Sequence, residues 1–236
     1  MSPPPSHRLS LPCAQRTLAL SGVLLFCLSG ATSQRASAEE STCLQTTPHP
    51  AFSTCQPSEE FQCLPMTLYV ACVDGQAAVD ERWLAQQVDA AQQHFAPVGF
   101  GFEPTLSFAA IPDHIPTRSA RDQLGRPYFT PGVITVFVVA RLDNVDEEGE
   151  IRGVHWRDRT QRGRRWIILS RIAGPLTLTH ELGHYFGLPH SDDEASIMYV
   201  GPSNEQRSFL PAEVRRMQRK RRSKTTAPAA DTRPRH

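Results

Sequence analysis

Thr179 to Met198 reads THELGHYFGLPHSDDEASIM, and the fold and chemistry of the chain turn on how that stretch is shaped. On a helix, His180 and His184 stand four residues apart, so their imidazoles leave one face a single turn from each other. Two neutral imidazoles at that spacing take adjacent corners of a zinc tetrahedron, each at about 2.0–2.1 Å. Glu181 lies beside them but is poorly placed to ligate together with both, so its natural role is base toward a water at the metal. Gly187 lets the backbone leave the helix in a conformation that a Cβ resists. His190 then arrives from the following loop as a third ligand. Three protein ligands leave one corner open, the condition that separates a catalytic zinc from a closed structural one.

HELGHYFGLPH resembles the long metzincin signature H-E-x-x-H-x-x-G-x-x-H at every defined position. Metzincins carry a methionine turn beneath the metal, and Met198 in Ile197-Met198-Tyr199 is similar to it. Ser191 directly after His190, with Met198 eight residues beyond that histidine, resembles the matrixin branch. Tyr199 follows the methionine immediately, so no fifth ligand is assigned. The resemblance covers residues 66–222. It implies an endopeptidase with zinc (Zn2+) on His180, His184 and His190, Glu181 as general base, and a protein or peptide substrate. It also implies an α/β (α+β) zincin domain: a twisted mixed five-stranded sheet with an active-site helix, a backing helix and a C-terminal helix. The substrate then lies extended along an edge strand, and Tyr199 to Phe209 walls the pocket for the residue after the cut. Two matrixin features have no counterpart: a PRCGxPD-like prosegment, and the extra histidines and aspartate of a second zinc site, for which His155 alone does not suffice.

Periodicity upstream agrees with that layout. Met66 to Val73 (MTLYVACV) alternates as a first strand. Asp80 is placed to cap a helix carrying Leu84, Val88, Ala91 and Phe95 on one apolar stripe, which Pro97 and Gly99 stop. Phe100 to Ile111 reads as extended. Val133 to Val139 (VITVFVV) is a nearly unbroken apolar run, as in a central strand covered on both faces. Gly153 to Trp156 reads as an edge strand and Trp166 to Leu169 as a buried one. The acidic stretch Asp143 to Glu150 and the basic hairpin Arg157 to Arg165 read as solvated loops. Phe209 to Arg222 forms a last helix. Strand, helix, several strands and a helix make an α/β or α+β layer. His94, His114 and His155 are expected to be surface or structural.

The remaining features concern compartment and partners. The chain has 236 residues, 39% of them hydrophobic, with a formal net charge of +1, which suits one globular domain and gives no overall pull toward nucleic acid. Arg8 and Arg16, the apolar run Thr17 to Leu28 and the A-x-A site Ala36-Ser37-Ala38 read as an export signal over 1–38. That run is too short to span a bilayer core of roughly 30 Å, so no membrane anchor is expected in the mature, secreted or periplasmic chain, which is taken as a monomer. A lipoprotein at Cys27 is disfavoured by Phe26. Residues 39–65 form a cysteine-bearing lead-in. Cys43, Cys55, Cys63 and Cys72 make two disulfides in one of three connectivities, and a thiolate cap on the zinc from Cys43, Cys55 or Cys63 is the competing use. Residues 223–236 read as a disordered basic tail. Two other functional classes stay open: a zinc-holding binding protein without turnover, and a polyanion binder acting through the basic run Arg215 to Lys224.

Overall fold

The structure is a computed structural model that describes residues 52, 55–108, 110–202 and 206–225. The expected export signal, Cys43 and residues 226–236 lie outside them. Nine strands appear: β1 (Gln62–Val70), β2 (Cys72–Val73), β3 (Gln76–Ala77), β4 (Phe100–Phe108), β5 (His114–Ile115), β6 (Ile134–Val139), β7 (Arg141–Leu142), β8 (Gly153–Arg157) and β9 (Arg165–Ser170). The helices are α1 (Glu81–Phe95), α2 (Arg118–Gly125), α3 (Thr177–Tyr185) and α4 (Pro211–Thr225). Five strands form one sheet in the order β4-β1-β6-β9-β8. The first four neighbours run parallel, and β8 alone pairs antiparallel, with β9. This is the mixed five-stranded sheet that the resemblance implied.

The alternation of β1 buries Met66, Leu68 and Val70. The strand begins four residues ahead of the expected Met66, because the parallel ladder with β4 already starts at Gln62 opposite Phe100. The end of the lead-in, from Gln62, is therefore strand. All six residues of β6 are buried. Val136 and Val138 face one apolar cluster with α1, α3 and α4, while Phe137 and Val139 face a second with Ile115, Leu124 and Trp166. A strand covered on both faces has no use for alternation, so it reads as an apolar run.

α1 follows its sequence closely. Asp80 Oδ1 accepts the Trp83 N–H at 2.8 Å, and Leu84, Val88, Ala91 and Phe95 are buried. Helix α2 was not foreseen. Thr117 caps it by accepting the Ala120 N–H at 3.1 Å, and it covers the second cluster. Gly125 closes that contact, since a Cβ there would sit 2.1 Å from the Trp166 ring. The hairpin between β8 and β9 differs from a solvated loop at its root. Asp158 is buried and accepts Arg126 Nε at 2.8 Å and the Thr160 N–H at 2.7 Å. Asp122 of α2 accepts Trp156 Nε1 at 2.8 Å and Arg159 Nε at 2.7 Å. These bonds fasten the edge strand to α2.

Cys55 is bonded to Cys63, which selects one of the three connectivities and removes both thiols as caps for a metal. Cys72 is disulfide-bonded too, to a cysteine outside the described residues. The last helix runs three residues past the expected Arg222, to Thr225. Among the described residues no helix is long and apolar enough to cross a membrane.

Candidate metal centre

Helix α3 carries the centre and is held from three sides. Gln87, buried in α1, accepts the Leu178 N–H at 3.0 Å and donates to the Gly174 carbonyl at 2.8 Å. It thereby satisfies an N-terminal amide of α3 that no residue of the helix can reach. Gly153 in β8 lets the edge strand touch the helix, for a Cβ there would lie 2.9 Å from Thr177 Cγ2 and 3.2 Å from Glu181 Cγ. Gly183 does the same below, where a Cβ would meet Met198 Sδ at 2.4 Å. The methionine is fully buried under the helix. Its amide donates to Ser196 Oγ at 2.9 Å, and Ser196 Oγ donates to Glu213 of α4 at 2.8 Å. Glu213 also accepts the Leu210 N–H at 2.7 Å, so one carboxylate ties the methionine turn to the start of the last helix.

α3 ends after Tyr185, and Gly187 turns the chain away with φ at +92°. The turn brings His190 back to the helix. One nitrogen from each of His180, His184 and His190 lies within 4.8 Å of the other two. Ring centroids are 4.7 Å apart for His180–His184 and His184–His190, and 5.5 Å for His180–His190. His180 Nδ1 is 2.7 Å from the Ile197 carbonyl and His184 Nδ1 is 2.8 Å from the Leu188 carbonyl. A carbonyl oxygen only accepts, so both rings donate from Nδ1 and turn an Nε2 lone pair toward the cluster. That tautomer is the one a metal requires.

Electrostatics favour the same state. Burial lowers the His180 pKa to about 4, helped by the neighbouring His184, His190 and Arg207 charges. Burial also lowers that of His184. Neutral rings at neutral pH are ready to ligate. Glu181 is buried beside them, and burial pushes its carboxyl up to about 8 against the opposing pull of the His155 N–H and the Arg121 charge.

Two cavities flank the cluster, and both touch Gly153, Glu181 and His190. One, of about 550 Å³, runs along β8 past Val154, His155 and Arg157 and under His184 and Arg216. The other, of about 450 Å³, lies between Glu150–Gly153 and the wall made by Ile197, Tyr199, Val200, Gly201 and Arg207. Of these wall residues Tyr199, Val200, Gly201 and Arg207 belong to the Tyr199 to Phe209 segment, and Ile197 precedes it. His155 lines the first cavity, stacks edge-on against Tyr185, and keeps a buried Nε2 without a partner among the described residues. His114 is remote and pairs with Asp143 at 3.0 Å. Gln87, Asp122 and Glu213 escaped the sequence reading. Only Gln87 left a trace, as a polar residue one place before Val88 on an apolar stripe.

A family model for the matrixins matches residues 78–214, more than half of the chain. The chain belongs to the matrixin family. It is thus a member of a metallopeptidase family, and the three-histidine group of this matrixin has the donor chemistry of a metal centre. No curated protein matches the chain in sequence. Solved structures similar in fold include archaemetzincin from Methanopyrus kandleri, at 16% identity over 70% of this chain and 98% of that one, with a TM-score of 0.47. Metalloproteinase-II from Bacteroides fragilis is 15% identical over 75% of this chain and 58% of that one, with a TM-score of 0.48. A zinc-dependent peptidase from Methanocorpusculum labreanum is 14% identical over 65% and 99%, with a TM-score of 0.42.

Proposed function

We propose that this chain is an exported zinc-dependent endopeptidase that cuts internal peptide bonds of a protein or peptide substrate. The observation that carries the reading is the convergence of three imidazole nitrogens, with Nδ1 partners on His180 and His184 that leave the Nε2 lone pairs of those two rings free. His180, His184 and His190 hold the ion. Zinc there supplies a Lewis acid that polarises the scissile carbonyl and makes water acidic enough to attack near neutral pH.

Glu181 accepts the proton of the attacking water at its carboxylate and returns it to the departing amine nitrogen. Its burial favours the protonated acid, while a dication at the cluster favours the carboxylate. The His155 N–H fixes one side of the carboxylate. The free edge of β8 offers backbone donors and acceptors to an extended segment, which supports substrate binding by strand addition. Met198 is the floor of the centre, fixing His180 through the adjoining Ile197 carbonyl. The Cys55–Cys63 bond supports passage to an oxidising compartment.

Glu181→Gln tests the assignment. Zinc content by metal analysis should equal that of the wild type, while kcat/KM on a quenched peptide pool should drop at least about 10²-fold. Full peptidase activity in the variant would remove Glu181 from the mechanism.

A further inference from the structure

Arginines outnumber carboxylates along the cavities beside the cluster. Arg157 and Arg216 line the one along β8, and Arg152 and Arg207 the one under the Tyr199 wall. Apart from Glu181, the only carboxylate among the described lining residues is Glu150. The acidic run Asp192, Asp193 and Glu194 lines neither cavity. Four arginines away from the cavities, Arg118, Arg126, Arg141 and Arg159, each stand in an ion pair with an aspartate. Among the described residues, none of the four cleft arginines does.

Arg207 is also held where a ligand could use it. Its Nε donates to the Glu194 carbonyl at 3.0 Å and its guanidinium lies 4.9 Å over the Tyr199 ring. The remaining N–H fork makes no further bond within the described protein. Arg216 projects from α4, exposed, at the opposite cavity. A cleft walled by one sign of charge concentrates field lines and draws the complementary ligand.

From this arrangement we infer that the cleft selects acidic polypeptide, with carboxylate side chains on both sides of the scissile bond. Arg152 and Arg207 receive those on one side, and Arg157 and Arg216 those on the other. The inference rests on the peptidase reading and adds the substrate class to it.

Three sets of fluorogenic peptides that share a neutral core and carry Glu, Ala or Lys at the two positions flanking it on either side test the inference with the zinc-loaded protein. Each exposed guanidinium–carboxylate pair adds about 1.4- to 5-fold. The Glu set should therefore exceed the Ala set in kcat/KM by at least about fourfold at low salt, with Lys slowest and the gap closing as salt is raised. Arg207→Glu and Arg216→Glu should each invert the Glu-over-Lys ratio on one side only, and on different sides. Among the described residues exposed Arg216 makes no hydrogen bond, ion pair or ring contact, so it keeps the test clear of folding effects. Equal cleavage of Glu and Ala peptides, or ratios unmoved by both reversals, overturns the inference and leaves the peptidase intact. If no peptide is cut, the peptidase reading fails, and anisotropy of the same labelled peptides decides the inference by itself: acidic peptide must bind more tightly than neutral. Heparin binding that both reversals weaken as much as they weaken the acidic peptide would overturn it in favour of a general polyanion surface.

Discussion

His180 and Glu181 are neighbours in sequence whose protonation is displaced in opposite directions by the same burial. In the chelated protein each contributes a pH-dependent stability of opposite sign. The His180 pKa is depressed from 6.5 to about 4, so its contribution is present above 6.5 and is lost as pH falls through 4. The Glu181 pKa is raised from 4.5 to about 8, so its contribution is present below 4.5 and is lost as pH rises through 8. Glu181→Gln removes only the second. Thermal melts of the chelated proteins should show the variant gaining on the wild type between pH 5 and pH 8.5, and parallel curves would mean the carboxyl is not held as a buried acid. His155 shows what a residue-by-residue reading of sequence misses. As one histidine outside the signature it carried no visible pattern, and only the pairing of β8 with β9 turns it to the cleft.

Gln87 gives α3 its purchase on α1, and the loss of that side chain's amide belongs to the scale of whole elements. Gln87→Met keeps the volume but leaves the Leu178 N–H and Gly174 carbonyl without their partner. That should cost about 1–3 kcal/mol in urea unfolding, with the sheet intact. Gly153→Ala acts at the other side of the same helix. Its Cβ falls against Thr177, Leu169 and Glu181 at 2.9–3.2 Å, so β8 and α3 must separate by a few tenths of an ångström. Turnover should suffer more than stability, read as a drop in kcat at nearly constant melting temperature; unchanged kcat would show that the contact has slack. Elements with a period of their own were legible in the sequence: α1 by its cap and stripe, β6 by its apolar run, α3 by the metal-ligand spacing. Helix α2 was not, because with Arg121, Asp122 and Gly125 all buried it inverts the usual rule for an amphipathic surface. Its buried Asp122 is satisfied by β8 and the hairpin, partners that lie 34 and 37 residues away for Trp156 and Arg159.

Over the whole molecule, the sheet order β4-β1-β6-β9-β8 could be assembled only once the register was known, although strand number and mixed direction followed from the family resemblance. The two outer edges are treated differently. Gln92 covers β4, donating to the Phe102 carbonyl at 2.7 Å and accepting the Phe102 N–H at 2.9 Å, whereas β8 faces the cleft. The Cys55–Cys63 bond pins the lead-in beside β4, where Gly101 leaves it room. Replacing both cysteines by serine should lower unfolding free energy by about 2–3 kcal/mol, with zinc content unaffected, since the bond lies far from α3 in the sheet order. Every donor nitrogen of the centre, and each carbonyl that aims one, sits between His180 and Met198. The grip on the ion is therefore a local property of one helix turn and its return loop, and damage to remote parts of the chain should first surface as slower or less selective cutting, long before the ion is let go.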